Sequence, residues 1–513
     1  MNALLIYPQY PETFWSFKHA LKFISKKAAI PPLGLLTIAS MMPTDWNKKL
    51  IDLNVSSLKD SDLAWADMVF ISAMVIQRVS TEEVIARAQA LGKKVVAGGP
   101  LFTEEPDNYE YVDHLVLDEG EVTFPQFLDD LKKGEPKHLY RSRQHPDLSL
   151  TPPPMWSLIK FKNYATMAIQ YSRGCPYNCD FCDIVVLFGH RPRTKTKEQV
   201  IRELDLLYQL GWRDAVFFVD DNFIGNKKKL KEEILPAIRD WMIYRNHPFT
   251  LNTEVSINLA KDDELLQLMI DAGFRKVFVG IETPNPESLK EAHKLQNANL
   301  DLVAAIKKLQ AAGMEVQGGF IVGFDSDPPT IFDDQINFIQ KSGILTAMVG
   351  LLNAPRGTPL YLRLKSEHRL IGDISGDNLD FSTNFIPKIN FDKLIAGYKH
   401  VLETIYSPRE YYDRLKTYLN TYKLPKIDHL TFHFFYVKAL LRSFWVLGIK
   451  CQSRRYFWKI LGWSFLKNPK LIPVAVTQWI YGYHFRKILK KNESLKLPKL
   501  PEAFGSKLAS DQV

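Results

Sequence analysis

Four cysteines in 513 residues are too few to staple a fold, which points to a reducing, cytoplasmic compartment and away from a secreted disulfide scaffold. No stretch reaches the roughly 18 uninterrupted apolar residues that a membrane-spanning helix requires. The opening residues, MNALLIYPQYPETFW, have no basic segment before the apolar run and no small-residue cleavage site after it. They read as a first β-strand, not as a secretory leader. Acidic residues are nearly missing from 431–499, where Glu493 stands alone against fourteen Lys and Arg. That excess is larger than the chain's net charge of +9, so the remainder is mildly acidic and the basic character belongs to one segment. With 46% apolar residues and 24% charged the chain can build cores, which excludes disorder. At ~150 residues per domain it predicts two to four of them.

Short apolar runs at 3–8, 49–54, 68–74, 94–100 and 114–120 alternate with helical patterns, as in buried parallel strands with crossover helices. This predicts an α/β, flavodoxin-like (Rossmann-type) sheet over 1–145, which takes ligands at the carboxyl ends of its strands. Gly98, Gly99 and the run Asp118-Glu119-Gly120-Glu121 fall at such ends, where the glycines serve a tight turn or a ligand equally well. The proline-rich stretch 149–157 lies in an expected linker, 146–164. Six further runs, at 165–172, 214–222, 249–256, 275–283, 315–324 and 346–353, predict an open, partial (β/α)6 barrel over 165–375, with its chemistry at the C-terminal strand ends. A mainly α-helical, basic and aromatic-rich domain is expected over 376–513.

The first of those barrel strands is followed by Cys175, Cys179 and Cys182 in the spacing C-x3-C-x2-C. A structural zinc site asks for four ligands, usually in paired spacings. Cys451 is far away, reads as a buried and inert thiol, and His190 has no zinc-finger spacing. Three clustered thiolates suit an iron–sulfur cluster with one iron left without a protein ligand, able to bind a substrate or cofactor.

This loop, CPYNCDFC, resembles the signature of the radical S-adenosylmethionine (SAM) superfamily, including the aromatic Phe181 before the last cysteine. The resemblance implies that Cys175, Cys179 and Cys182 hold a [4Fe-4S] cluster, that the open iron chelates SAM, and that reduction cleaves SAM to a 5′-deoxyadenosyl radical. It further implies SAM contacts from Asp220 and Asp221, from Glu254, from Gly280, Glu282 and Thr283, and from Gly319, Ile321 and Gly323. Asp220 and Asp221 serve as well to cap the following turn.

AAIPPLGLLTIAS at 28–40, GGP at 98–100 and DEGE at 118–121 resemble the cobalamin-binding-domain radical SAM proteins. Cobalamin would then meet Gly98, Gly99, Glu119 and Gly120, with Met74 and Gln77 against its lower face. The D-x-H-x-x-G motif of histidine-ligated corrinoid domains is missing from this sequence, which leaves binding without a histidine, or a degenerate domain. YPQYPETFWSFKHA, DDNFIGN, APRGTPLYLRL and IYSPREYYDRL are similar to the branch that includes hopanoid C-2 methylases, whose members carry a C-terminal domain of this length. The implied reaction is methyl transfer to an unactivated carbon of a small or lipid-like substrate, with an electron donor such as flavodoxin or ferredoxin. A cobalamin-associated rearrangement or cyclisation is the alternative within this chemistry.

Residues 431–499 interleave Trp445, Trp458, Trp463 and Trp479 with cations. Two readings stand side by side: amphipathic helices making peripheral contact with the inner face of a membrane, or a cap domain with a solvated basic face. A metal-stabilised nucleic-acid-binding protein is disfavoured, because the segment has no RNA-binding motif.

Overall fold

The computed structural model describes residues 1–424 and 434–492. Its first sheet contains β1 (Asn2–Tyr7), β2 (Asn47–Asp52), β3 (Met68–Ser72), β4 (Lys94–Gly98), β5 (His114–Val116) and β6 (Leu139–Tyr140). The strands are parallel in the order β2-β1-β3-β4-β5-β6, a doubly wound sheet with one more strand than the periodicity predicts. A two-residue strand is too short to show a period. Helices cover both faces, so Ala3, Leu4, Leu5 and Ile6 are all without solvent contact, as continuous apolar strands require. On one face α1 (Leu33–Met41) packs with α3 (Gly120–Lys133), and α2 (Pro100–Glu104), which follows β4, packs on the other through Leu101 and Phe102. The stretch expected as a linker is itself packed. Met155 N donates to Leu36 O at 3.0 Å, Ser40 Oγ donates to Pro153 O at 2.7 Å, and Trp156 is buried.

Next come β7 (Met167–Ile169), then β8 (Ser172–Arg173) and β9 (Arg193–Thr194), an antiparallel two-residue hairpin with α4 (Ile184–Phe188) inside its long loop. β10 (Ala215–Phe218), β11 (Thr250–Glu254), β12 (Phe274–Glu282), β13 (Glu315–Val322) and β14 (Ala347–Leu351) complete a six-stranded parallel sheet ordered β14-β13-β12-β11-β10-β7. Side chains alternate across it. Val277, Val279 and Ile281 of β12 are fully buried toward the helices, whereas Lys276, Phe278 and Gly280 occupy the inner face. Gly319 on β13 makes room there: a Cβ would come within 2.8 Å of the Phe278 ring.

The chain's two ends close this inner face. Trp15 meets Phe278 edge-on at 5.4 Å, and Lys276 Nζ lies 5.2 Å over Tyr481. Tyr481 belongs to α9, the last of five C-terminal α-helices among the described residues: α5 (Phe391–Tyr406), α6 (Pro408–Thr421), α7 (Phe434–Ser443), α8 (Arg454–Lys467) and α9 (Ile472–Asn492). Phe14 stacks on Phe485 of α9 at 4.2 Å, which ties the N-terminal segment to that helix.

The two sheets are joined by a buried ion-pair clasp. Glu119 accepts from both Nη atoms of Arg193 at 2.9 and 2.8 Å, from Arg173 at 2.9 Å, and lies 2.8 Å from His145 Nδ1. Glu121 takes the other end of Arg173 at 2.9 and 2.7 Å. Burial opposes the Glu121 charge, and Arg173 overrides it, holding that carboxyl at about 2. Replacing Arg173 with Met leaves buried carboxylates without their partner. Stability is expected to fall by about 3–5 kcal/mol, read as a lower denaturation midpoint in urea, with limited proteolysis between the two domains accelerated.

Candidate active site

The cysteine loop is built on the β8–β9 hairpin. Gly174 has φ of 91°, and a Cβ there would lie 2.9 to 3.1 Å from the carbonyl oxygens of Gly189, Arg191 and Phe188, so only glycine lets the loop close on itself. Cys175 N then donates to Gly189 O at 3.3 Å, and Cys182 N to Cys179 O at 3.1 Å. The loop's middle is pinned from two other directions, by Asp180 N to Ala292 O at 3.1 Å and Leu360 N to Asp180 O at 2.9 Å. Burial pushes all three thiols up, so thiolates form there only with a strong cationic partner. Among the described residues no three His, Cys, Asp or Glu converge on a single-ion position. A cluster, in which each thiolate takes its own iron, suits three sulfurs set apart on one short loop. The donor set therefore fits an iron–sulfur cluster.

The two aspartates at the end of β10 secure this loop. Asp220 is buried and accepts from Tyr171 N at 3.2 Å and from both the amide and the hydroxyl of Ser172, the latter at 2.6 Å. Asp221 accepts from Gly174 N at 3.3 Å. Burial raises Asp220 to about 7 and Asp221 to about 6. Glu254 ends β11 beside Phe278 in the strand register. Burial, followed by the charges of Asp221 and Asp220, lifts it to about 8. Three carboxyls are thus crowded at two neighbouring strand ends.

On the other side of the cysteines stands Lys294, which the sequence did not single out. Its Nζ is 2.7 Å from Glu282 Oε1 and 6.0 Å from the Phe181 ring centre. Burial works against this ammonium, but Glu282 and the Cys179 sulfur raise it above the ordinary lysine range. Glu282 has φ of 66° at a break in the β12–β13 register, a bulge that re-aims the side chain. Phe181 packs with Phe324 at 6.1 Å and with Ile321. Gly323, at φ 108°, donates its amide to Asp327 at 2.8 Å, and Thr283 accepts from Asn285 N at 3.2 Å. At Gly280 a Cβ would lie 2.8 Å from Lys294 Nζ and closer still to Glu282 Oε1, so a larger residue there would displace the Lys294–Glu282 pair.

Across the gap lie the residues expected at cobalamin. Met74 is exposed at the end of β3. Gln77 is buried, donating to Pro8 O at 2.5 Å and accepting from Met74 N at 2.9 Å. Gly98, Gly99 and Gly120 each serve close packing, with a Cβ falling 2.6 Å from Val116 O, Ser72 Oγ and Ile38 Cδ1 respectively. Glu119 is taken up by the clasp. The sheet's carboxyl edge nevertheless faces the cysteine loop, because Glu104 of α2 hydrogen-bonds Asp183, next to Cys182. Burial, with Asp183 beside it, raises Glu104 to about 8, so Glu104 keeps a proton to donate. A cavity of about 650 Å³ is lined by Asp118, Glu119, Arg141–His145 and Val186–Leu187 of α4. Cys451, expected buried, is only half buried, with Sγ 3.1 Å from Ser453 Oγ.

Residues 24–128 match the B12 binding domain, 169–339 the radical SAM superfamily, and 358–496 a domain of unknown function (DUF4070). The hopanoid C-2 methylase of Rhodopseudomonas palustris is 36% identical over 412 residues, 79% of this chain and 77% of that protein. The chain belongs to the B12-binding radical SAM family. An uncharacterized methyltransferase of Synechocystis sp., sll1242, is 40% identical over 498 residues, 94% of this chain and 91% of that protein. The cobalamin-dependent SAM radical enzyme OxsB, solved with aqua-cobalamin and SAM, shares the fold with a TM-score of 0.59 at 16% identity, over 98% of this chain and 82% of that one. As a member of this family the protein is a cobalamin-dependent radical SAM methyltransferase, with a [4Fe-4S] cluster, SAM and cobalamin as cofactors.

Two predictions test the site. A carboxyl whose folded pKa is raised stabilises the fold while protonated. For Glu254 that contribution is complete below 4.5 and is lost as pH rises through about 8. In the cofactor-free protein, Glu254→Gln is expected to match the wild-type melting temperature at acid pH and exceed it by several degrees above pH 8. Lys294→Met removes a cation beside the sulfurs, which favours the less negative cluster state. The midpoint potential, followed by EPR in a redox titration, is expected to fall by on the order of 50 mV. An unchanged potential would mean that Lys294 only balances Glu282.

Proposed function

We propose that this enzyme methylates an unactivated carbon of a small or lipid-like substrate, held on the inner face of the barrel. The observation that carries this reading is the group of large apolar side chains on that face. Phe217, Phe278, Ile321 and Met348 are part-exposed on it, and Trp15 closes one end. Such a surface offers little to a sugar or a nucleotide and suits an alicyclic or long-chain substrate. When bound, the cofactors supply the hydrogen-atom abstraction and the methyl group. The chain's own residues do the rest. Cys175, Cys179 and Cys182 would hold the cluster, and Asp221 and Glu254 would receive the SAM ammonium. Phe181, Ile321 and Gly323 would lie against the adenine, and Glu282 would be aimed at the ribose by Lys294. Gly98, Gly99 and Met74 would border the corrin. Glu104 would stay protonated between the two sites.

A flavodoxin or ferredoxin supplies the electron in this reading, and the enzyme meets a lipid-like substrate at the periphery of a membrane. Among the described residues no helix is long and apolar enough to cross one.

The test is anaerobic reconstitution with iron and sulfide, followed by incubation with methyl-labelled SAM and a total lipid extract. The wild type is expected to show cluster absorption, to form 5′-deoxyadenosine, and to move label into the lipid fraction. The triple substitution Cys175→Ala, Cys179→Ala, Cys182→Ala should reduce all three to background. Deoxyadenosine formation without label in any product would replace methyl transfer by a rearrangement.

A further inference from the structure

We propose that the C-terminal domain carries a membrane-docking face, formed by α7, the turn that follows it and α8, and that its occupant is an anionic bilayer surface. The proposal rests on the reading of a lipid-like substrate for its purpose, though not for its geometry. Leu441, Trp445 and Ile449 are 64%, 54% and 53% exposed and recur every four residues. On a regular α-helix of about 3.6 residues per turn a four-residue step drifts around the axis. The segment Phe444–Lys450 is instead a π-helix, whose wider turn offsets that drift and keeps the three side chains in one line. A second line runs along α8 through Trp458, Gly462, Phe465 and Leu466, at the i, i+4, i+7 and i+8 positions of one helical face, and all four are exposed. The two lines adjoin, because Trp458 donates its indole N–H to Gly448 O at 2.9 Å and stacks on Phe444 at 5.7 Å.

Charge decides what covers this face. Residues 434–492 contain twelve Lys and Arg and no Asp or Glu. Lys450 lies 5.1 Å over Trp445, and Arg454, Arg455, Lys459 and Lys467 are exposed around the second line. A second copy of this chain would bring like charges together. Single-stranded nucleic acid is held by stacking on aromatic rings, to which Leu441, Ile449 and Leu466 contribute nothing. Aliphatic side chains that enter the acyl boundary, indoles at headgroup depth and a surrounding ring of cations are what an anionic lipid surface accommodates. A contiguous apolar face of this kind is unusual on a protein free in solution.

The experiment is flotation of the full chain with vesicles of phosphatidylcholine, alone or with about one third phosphatidylglycerol. No substrate and no reductant are needed, so failure of the methyl-transfer reading leaves the result untouched. The wild type is expected to float with the anionic vesicles at low ionic strength, to be released by salt, and to stay behind with the neutral ones. The double variant Leu441→Gln, Trp445→Gln should partition roughly tenfold less, with melting temperature and SAM cleavage in solution unchanged. Lys450→Glu with Lys459→Glu should abolish the preference for anionic lipid. The proposal is overturned by absence of flotation, by equal flotation with neutral vesicles, or by equal flotation of the double variant. It is equally overturned if a single-stranded oligonucleotide, and not the vesicles, is captured by this face.

Discussion

The rest of the molecule depends on one carboxylate placed between two arginines. Arg173 and Arg193 are direct partners in the β8–β9 hairpin, and like charges facing each other across an antiparallel ladder repel. Two residue pairs of backbone hydrogen bonding cannot hold such a hairpin closed alone. Glu119 supplies what is missing, since it binds both guanidiniums and comes from the other domain. Arg173 stands two residues before Cys175, so the ion pair that docks the B12-binding domain also shapes the base of the cluster loop. Docking and loop closure are thus one event. A cluster exposed on a free radical SAM domain would rest on an open hairpin.

A second constraint is the sorting of charge around the cysteines. Asp220 spends its lone pairs on three donors from Tyr171 and Ser172, and Asp221 spends one on Gly174. These bonds hold the loop on the barrel. Glu254 stands in the same register layer as Phe278 and has the highest pKa of the three acids. The positive partner, Lys294, sits on the opposite side. Cation-seeking acids on one flank and a cation on the other give a cluster site with a fixed electrostatic direction.

Much of this was legible in sequence because it depends on period and spacing. The parallel strands announce themselves as unbroken apolar runs such as MVFIS, and C-x3-C-x2-C survives any uncertainty in fold. What escaped has a common physical origin in long-range contact. Lys294 looks like any helix lysine in KEAHKLQN until the fold buries it against Glu282. The glycines at 98 and 99 suit a tight turn or a ligand equally well in sequence, and only the fold shows the backbone or side chain a few ångströms from each of them and from Gly120. The sequence puts Glu119 at cobalamin, and the arginines that take it and its neighbour Glu121 lie more than fifty residues downstream. Local pattern marks the presence of a charged group; only tertiary structure assigns its partner.

The same logic extends to the substrate. The inner face of the barrel is closed by Trp15, Phe278 and Tyr481, contributed by the N-terminal segment, the barrel and the last helix. For the lipid-like substrate proposed above, recognition there would be by shape and apolar area, and one methylene more or less in such a pocket is worth only about 1–3 kcal/mol. A lumen of this kind selects a class of molecules and separates its members weakly. Where many apolar molecules would fit, the local concentration of one of them decides what is methylated. An enzyme held at a lipid surface by the basic, aromatic face of α7 and α8 gains its selectivity from where it stands as much as from what lines its pocket.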